Sequence, residues 1–299
     1  FRISKEKKNL FRTVDLLVID EVSMVRADLL DAIDATLRRY RNPLEPFGGV
    51  QLLLVGDLQQ LAPVVKDDEW QILSKYYDTP YFFGSNALKS LRYVTIELKH
   101  IYRQQDKQFI DILASIRENR VTNEVIDALN ARYIPGFSVE SDAEETDVQN
   151  MWIHLTTHNR TANAYNEKQM ERLKVSEHTF TAKIEGVFPE YSYPTDVTLN
   201  LKVGAQVMFV KNDSSPEKRY YNGKMGIVDD IVSEGIVVKT RNETTAATEY
   251  IVVSTEVWEN IKYSLDEKTK EIKEEVEGVF RQYPLRLAWA ITVHKSQGL

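Results

Sequence analysis

The 299 residues contain no cysteine, which excludes disulfides and thiolate-bound metal. No window approaches the roughly 18 continuous apolar residues of a membrane-spanning helix, and no charged-then-apolar leader opens the chain. Together these absences point to a cytoplasmic protein with no membrane partner. Positive charge is also in short supply: 38 lysines and arginines stand against 45 aspartates and glutamates, a net charge of −7. A chain of that sign does not attract nucleic acid as a whole, which excludes a histone-like or coating role. A motor that grips a strand in a local groove stays open, because phosphate contacts are local and few. Internal repeats and low-complexity tracts are absent as well.

What is present is the composition of an ordinary globular protein, 42% hydrophobic and 28% charged. The length suits two or three domains with cores of their own. Phe1 is not a start residue and Leu299 falls inside an apparent motif, so the chain reads as a fragment of a longer one.

Residues 14–19, Val-Asp-Leu-Leu-Val-Ile, form a short apolar run that ends at Asp20-Glu21. Such a run predicts a strand buried on both faces of a parallel sheet. Leu29, Leu30, Ile33 and Leu37 then recur at helical spacing. A Pro- and Gly-bearing loop over 41–49 leads to a second buried-type strand, Val50 to Val55, which ends at Gly56-Asp57. Strand, helix, strand with polar strand ends is the layout of an open α/β sheet, whose ligands bind at those ends.

Tyr93 to Leu98 reads as another strand, and Phe109, Leu113 and Ile116 as a helical stripe. Residues 138–150 form an acidic loop expected to be mobile. A strand from Trp152 to Leu155 and a helix from about Arg160 to Leu173 open a second α/β unit. Short β-rich runs separated by turns fill Leu199 to Ile251 and predict a small barrel. A charged hairpin is expected over 258–282, and a buried strand from Leu287 to Val293 closes the series at His294-Lys295. The barrel is thereby inserted into the second α/β unit.

Two adjacent carboxylates at a strand end, Asp20 and Glu21, can serve ATP hydrolysis, one holding Mg²⁺ and the other polarising water. Equally, Glu21 can cap the following helix. In Gly56-Asp57-Leu58-Gln59-Gln60-Leu61, the glycine permits a close approach and Gln60 suits a γ-phosphate and water sensor. A polar strand-to-loop turn is the plainer reading. Thr156, Thr157, His158 and Asn159 open a helix, where hydroxyls, an amide and backbone N–H groups suit phosphate contacts or simple capping.

Four stretches resemble motifs of superfamily one DNA helicases of the PIF/RecD-like branch. Val18-Ile19-Asp20-Glu21-Val22-Ser23-Met24 is similar to the Walker B box, and Gly56 to Val64 to the third motif. Leu98-Lys99-His100-Ile101-Tyr102-Arg103-Gln104 resembles the fourth, and Ala290 to Leu299 the fifth. Leu201 to Tyr283 resembles the barrel inserted in this branch, with Tyr220 to Gly226 as its most typical piece. The resemblance implies an α/β fold of two RecA-like P-loop NTPase lobes carrying a small Src-homology-3-like β-barrel. Its lobes would be 1–103, then 104–185 with 286–299, and the insertion 186–285. It implies ATP and Mg²⁺ as cofactors, with Asp20 as metal ligand and Glu21 beside it as catalytic base. Gln60 would sense the γ-phosphate and Arg103 would be the arginine finger, while Gly56, Asp57, Gln104, Gln297 and Gly298 would line the nucleotide. Single-stranded DNA, and fork or duplex DNA, would be the partners, met by Thr156, Thr157, His158, Asn159, His294, Lys295 and Ser296. A monomeric motor moving 5′ to 3′ is implied.

The sequence departs from the family pattern in one respect above all. It contains no Gly-x-x-x-x-Gly-Lys-Ser/Thr stretch, and so no phosphate-cradling loop. The sixth motif is missing too. Two rival readings therefore remain: a DNA-binding or assembly module that does not hydrolyse ATP, and a subunit of a recombination nuclease.

Overall fold

The structure, a computed structural model, describes residues 5–102, 104–135, 148, 151–243, 245–265 and 272–296. It divides into two compact units, residues 1–136 with 263–273, and residues 137–262 with 274–299.

The first unit opens with helix α1 (Lys5–Thr13), strand β1 (Leu16–Ile19) and helix α2 (Ala27–Tyr40). Strand β2 (Gln51–Leu54) and helices α3 (Asp67–Leu73), α4 (Asn86–Lys89), α5 (Lys107–Arg117) and α6 (Asn123–Asn130) follow. β1 and β2 pair in parallel, Leu16 opposite Gln51 and Ile19 opposite Leu54. The inward residues Leu17, Ile19, Leu52 and Leu54 pack on a core of Leu30, Leu37, Phe47, Val50 and Leu88. Two carboxylates on α2 tie the surrounding turns to it. Asp34 accepts the Phe47 N–H at 2.5 Å and pairs with Arg38. Asp31 accepts from the Ser85 hydroxyl, the Tyr77 hydroxyl and the Asn86 and Ala87 amides, fixing the start of α4.

Three expectations are corrected here. β1 is not buried on both faces: Leu16 and Val18 are about half exposed, because α2 covers one face of a sheet that has two strands among the described residues. Leu29, at the edge of the helical stripe, is exposed too. Tyr93 to Leu98 forms no strand, since the segment has no ladder partner and Tyr93, Val94, Ile96 and Leu98 are exposed. The Phe109, Leu113 and Ile116 stripe does lie on a helix, α5, with all three partly open to solvent.

The second unit begins with strand β3 (His154–Thr156) and helix α7 (Asn159–Arg172). Strands β4 (His178–Thr181), β5 (Lys183–Gly186), β6 (Thr198–Leu201), β7 (Gln206–Phe209), β8 (Met225–Val232), β9 (Gly235–Arg241) and β10 (Thr248–Val253) come next. The long β11 (Glu256–Leu265) and β12 (Ile272–Gln282), then β13 (Leu285–Leu287), β14 (Ala290–Thr292) and helix α8 (Val293–Ser296) complete it. The core gathers Leu201, Val207, Phe209, Val238, Ile251 and Leu285 with Met170 of α7. The acidic segment 138–150 lies, apart from Val148, outside the described residues.

The expected small barrel is not seen closed. Among the described residues the strands form a five-stranded antiparallel sheet, β10-β9-β8-β7-β13, beside a β11-β12-β5 sheet and a β4-β6 pair, and no closed barrel. β12 pairs with β5 instead of closing the five-stranded sheet. Gly278 makes that pairing possible, since a Cβ there would strike the Val187 carbonyl. The single strand expected over Leu287 to Val293 is two: β13 runs antiparallel to β7, and β14 runs parallel to β3. The switch falls at Ala288, whose N–H donates to the Gln206 carbonyl and whose carbonyl accepts from the Gln206 side chain.

The loop before Tyr220 is held by Asp213, whose side chain is 2% exposed. It accepts from the Ser215 and Arg219 amides, each at 2.9 Å, and from the Arg219 guanidinium. Burial pushes its carboxyl up, but the hydrogen bonds from Ser215 and Arg219 outweigh it and hold the group at about 2. A depressed carboxyl contributes stability above its unfolded value and loses it as pH falls through the folded one. Acid titration should therefore remove up to about 2 kcal/mol as pH falls from about 4 to about 2. Asp213→Asn should abolish that increment in urea unfolding followed by tryptophan fluorescence.

Candidate functional site

In each unit the candidate residues collect at the carboxyl ends of two parallel strands. In the first, β1 ends at Asp20 and β2 at Gly56-Asp57. The Val22 N–H donates to the Val55 carbonyl at 2.9 Å, and the Val55 N–H to the Ile19 carbonyl. A Cβ on Gly56 would lie 3.0 Å from the Val22 nitrogen and 3.2 Å from the Ser23 nitrogen. Glycine lets β2 end this close to the acidic turn without pushing on its backbone.

Asp20 is exposed, and its Oδ1 accepts the Glu21 N–H at 2.8 Å. Glu21 sits in the left-handed region, φ 50 and ψ 41, ahead of the 3₁₀ turn Val22–Met24 and makes no capping bond with its side chain. A non-glycine residue there carries strain of order 1 kcal/mol, a frequent mark of functional turns. The Asp57 carboxylate accepts the Gln59 N–H at 3.0 Å and the Gln60 side-chain amide at 3.3 Å. Arg117, at the end of α5, stands 3.7 Å from the same carboxylate.

The arrangement suits a divalent cation shared with a phosphate. Among the described residues no three carboxylate, imidazole or thiolate groups converge as a complete metal site. Asp20 and Glu21 can supply one side of a coordination sphere, and water, phosphate oxygens and a hydroxyl from elsewhere its other side. Beside the turn lies a cleft of about 1020 Å³, bounded by β2 on one side and by Tyr93–Ile96 on the other. Ser23 lines it, and its hydroxyl is buried with no hydrogen-bond partner.

Gln104 spends its side-chain oxygen on the amides of Gln105 and Asp106, at 2.8 and 2.9 Å, ahead of α5. Arg103, Gln297 and Gly298 lie outside the described residues.

In the second unit β3 and β14 align Thr156 with Thr292. Thr156 and Thr292 are buried, while Thr157, His158, Asn159, His294 and Lys295 are exposed at the strand ends. The capping reading of Asn159 or the threonines is not met: His158 is the N-cap of α7, without a side-chain capping bond. The Thr156 hydroxyl turns instead to the His158 carbonyl at 3.2 Å, and the Thr157 hydroxyl lies 2.8 Å from His158 Nδ1. Ser296 donates to the Val293 carbonyl. Partial burial pulls the Lys295 ammonium below its ordinary range, Arg286 acts in the same sense, and Asp196 opposes.

One residue that sequence reading missed anchors the start of β14. Asn166 of α7 is buried, donates to the Ala290 carbonyl at 2.9 Å and accepts the Ala290 N–H at 2.8 Å. The signal was a polar residue on the helix face that also buries Ala162 and Met170.

The fold is a mixed α/β fold of the RecA-like kind, with polar residues massed at the carboxyl ends of parallel strands. Residues 2–126 match the model of a family described as PIF1-like helicase. The ATP-dependent DNA helicase PIF1 of Rattus norvegicus is 33% identical over 95% of this chain. The crystal structure of Bacteroides sp Pif1 in complex with ADP-AlF4 is 39% identical and superposes with a TM-score of 0.84 over the whole chain. Bacteroides Pif1 bound to ssDNA is similar at a TM-score of 0.58 and 39% identity, again over the whole chain. The chain spans 40% of the rat relative, 65% of the ADP-AlF4 structure and 66% of the ssDNA structure. The chain belongs to the PIF1-like helicase family. No helix among the described residues is long and apolar enough to cross a membrane.

Gly56 gives a direct test of the close approach. Gly56→Val places carbon against backbone nitrogens that cannot yield as a flexible side chain would. The expected loss is about 1–3 kcal/mol, read from urea unfolding by circular dichroism. An unchanged midpoint would mean that β2 does not end against the acidic turn.

Proposed function

We propose that this chain forms much of the motor of an ATP-dependent DNA helicase, which couples ATP hydrolysis to movement along single-stranded DNA. The observation that carries the reading is the acidic turn Asp20-Glu21 held against Gly56-Asp57 at the ends of parallel strands. Membership of the PIF1-like family supports it, as does the ADP-AlF4 held by the similar Bacteroides protein. The proposed division is a first lobe over 1–103, a second over 104–185 with 286–299, and an inserted β-rich segment over 186–285.

In this reading Asp20 anchors Mg²⁺ and Glu21 takes the proton of the attacking water. Mg²⁺, when bound, neutralises charge on the phosphate oxygens. Gln60 hydrogen-bonds the γ-phosphate and the water, and the Asp57 carboxylate holds its amide in place. Gln104, Gln297 and Gly298 complete the nucleotide's surroundings, and Arg103 supplies the guanidinium that meets the developing charge. The phosphate-cradling loop would come from sequence outside these 299 residues. The free edge of β2 and the apolar cleft beside it support a further strand entering there.

Thr156, Thr157, His158 and Asn159, with His294, Lys295 and Ser296, make a DNA track at the second pair of strand ends. The ssDNA held by the similar Bacteroides protein supports this. The helix N-terminus offers amides to a phosphate, and Lys295 offers charge where the chain as a whole offers none. Fork or duplex DNA is the proposed substrate, and the 5′ to 3′ direction follows from the branch that the motifs resemble.

In the full-length protein Glu21→Gln, Arg103→Ala and Arg103→Lys should each lower DNA-stimulated ATP turnover by about 10² or more while nucleotide affinity changes little. Stopped turnover assays with and without oligonucleotide, beside nucleotide titrations, check this. Near-normal turnover in Glu21→Gln would remove the proposed base. The 299-residue chain alone should show no DNA-stimulated turnover above its own Glu21→Gln variant.

A further inference from the structure

Asp57 is held from two directions. Its Oδ1 accepts the Gln59 N–H and its Oδ2 the Gln60 side-chain amide, both within its own loop. Arg117 reaches Oδ1 from outside that loop, Nη2 to oxygen at 3.7 Å, sixty residues further along the chain. The separation makes this an ion pair and not a hydrogen bond, and the Arg117 side chain is half exposed. Such a pair adds little stability. Its effect falls on orientation: the positive charge fixes which way the carboxylate faces, and the carboxylate holds Gln59 and Gln60.

The other end of the same helix is also fixed. Asp106 caps α5 by accepting the Phe109 N–H at 3.2 Å, and Gln104 accepts from the two amides before the helix. α5 therefore begins just after the segment that carries Arg103 and ends on Asp57. Eleven helical residues span about 16 Å as a stiff rod.

Resting on the nucleotide-hydrolysis reading above, we propose that Arg117 is a positioning residue, which orients Asp57 and through it Gln60, and so ties the Gln60 loop to the end of α5. Because the contact is a charge at 3.7 Å and not a planar two-pronged bond, lysine substitutes for Arg117 and glutamine does not.

Two measurements decide it. Hydrogen exchange on the 299-residue chain should show the Gln59 amide, which donates to the Asp57 carboxylate, exchanging about 3-fold faster or more in Arg117→Gln, with β2 amides unchanged and Arg117→Lys near wild type. In the full-length protein Arg117→Gln should lower DNA-stimulated kcat by about 10-fold with KM for ATP changed less than about 2-fold. Arg117→Lys should recover most of that kcat, and the unfolding midpoint should move by less than about 2 °C in both variants. Equal exchange at Gln59 in Arg117→Gln and wild type would overturn the proposal. So would a general loss of protection and a lowered midpoint in both variants, which would make Arg117 a plain structural residue. If the wild-type full-length protein shows no DNA-stimulated turnover, the hydrolysis reading fails, and the exchange measurement still decides whether Arg117 holds the loop.

Discussion

The parallel pairing of β1 with β2, and the absence of a side chain on Gly56, set the geometry on which the first unit's chemistry depends. Parallel strands end side by side, so whatever follows them is brought together. The Val22 N–H to Val55 carbonyl bond carries the pairing past the strands, and Gly56 allows the second chain to lie against the first turn. Glu21 accepts a left-handed backbone there, and its N–H is taken up by Asp20. Local strain at Glu21 is thus offset by pairing and by the core of Leu30, Leu37 and Phe47 beneath it.

The second unit repeats the device with different residues. β3 and β14 are parallel, and their ends carry hydroxyls, imidazoles and one lysine in place of carboxylates. Two residues, Ala288 and Trp289, separate β14 from the preceding antiparallel strand, and the Gln206 side chain, bonded to the Trp152 and Ala288 carbonyls, steadies the passage between sheets. Asn166 then satisfies both backbone groups of Ala290. Buried amides in such places are costly when half satisfied, and these are paired. A net charge of −7 is compatible with the proposed DNA track, because such a track needs only local donors.

Much of this was legible in the sequence, for physical reasons that also mark where legibility stopped. α2 carries helical spacing, and β1 and β2 are short apolar runs ending in polar residues, so the type of these elements followed. Tyr93 to Leu98 has the composition of a strand, but a strand exists only with a ladder partner, and composition names none. Barrel closure was not legible for a related reason: short strands at even spacing state how many strands there are, not which edges meet. Leu287 to Val293 looked like one strand because sheet switching at Ala288 depends on Gln206, more than eighty residues earlier. Arg117 carried no signal at all, since its partner Asp57 is sixty residues away. Asn166 did carry one, as a polar residue among buried helix positions.

In the proposed function Asp20, Glu21 and Gln60 surround the reacting phosphate. A crystal structure of the full-length protein with Mg²⁺ and ADP-AlF4 tests it most directly. The account expects the metal within one water shell of the Asp20 carboxylate, about 4–5 Å or less, and the aluminium fluoride beside Glu21 and the Gln60 amide. A nucleotide bound with its phosphates away from the ends of β1 and β2 would contradict it.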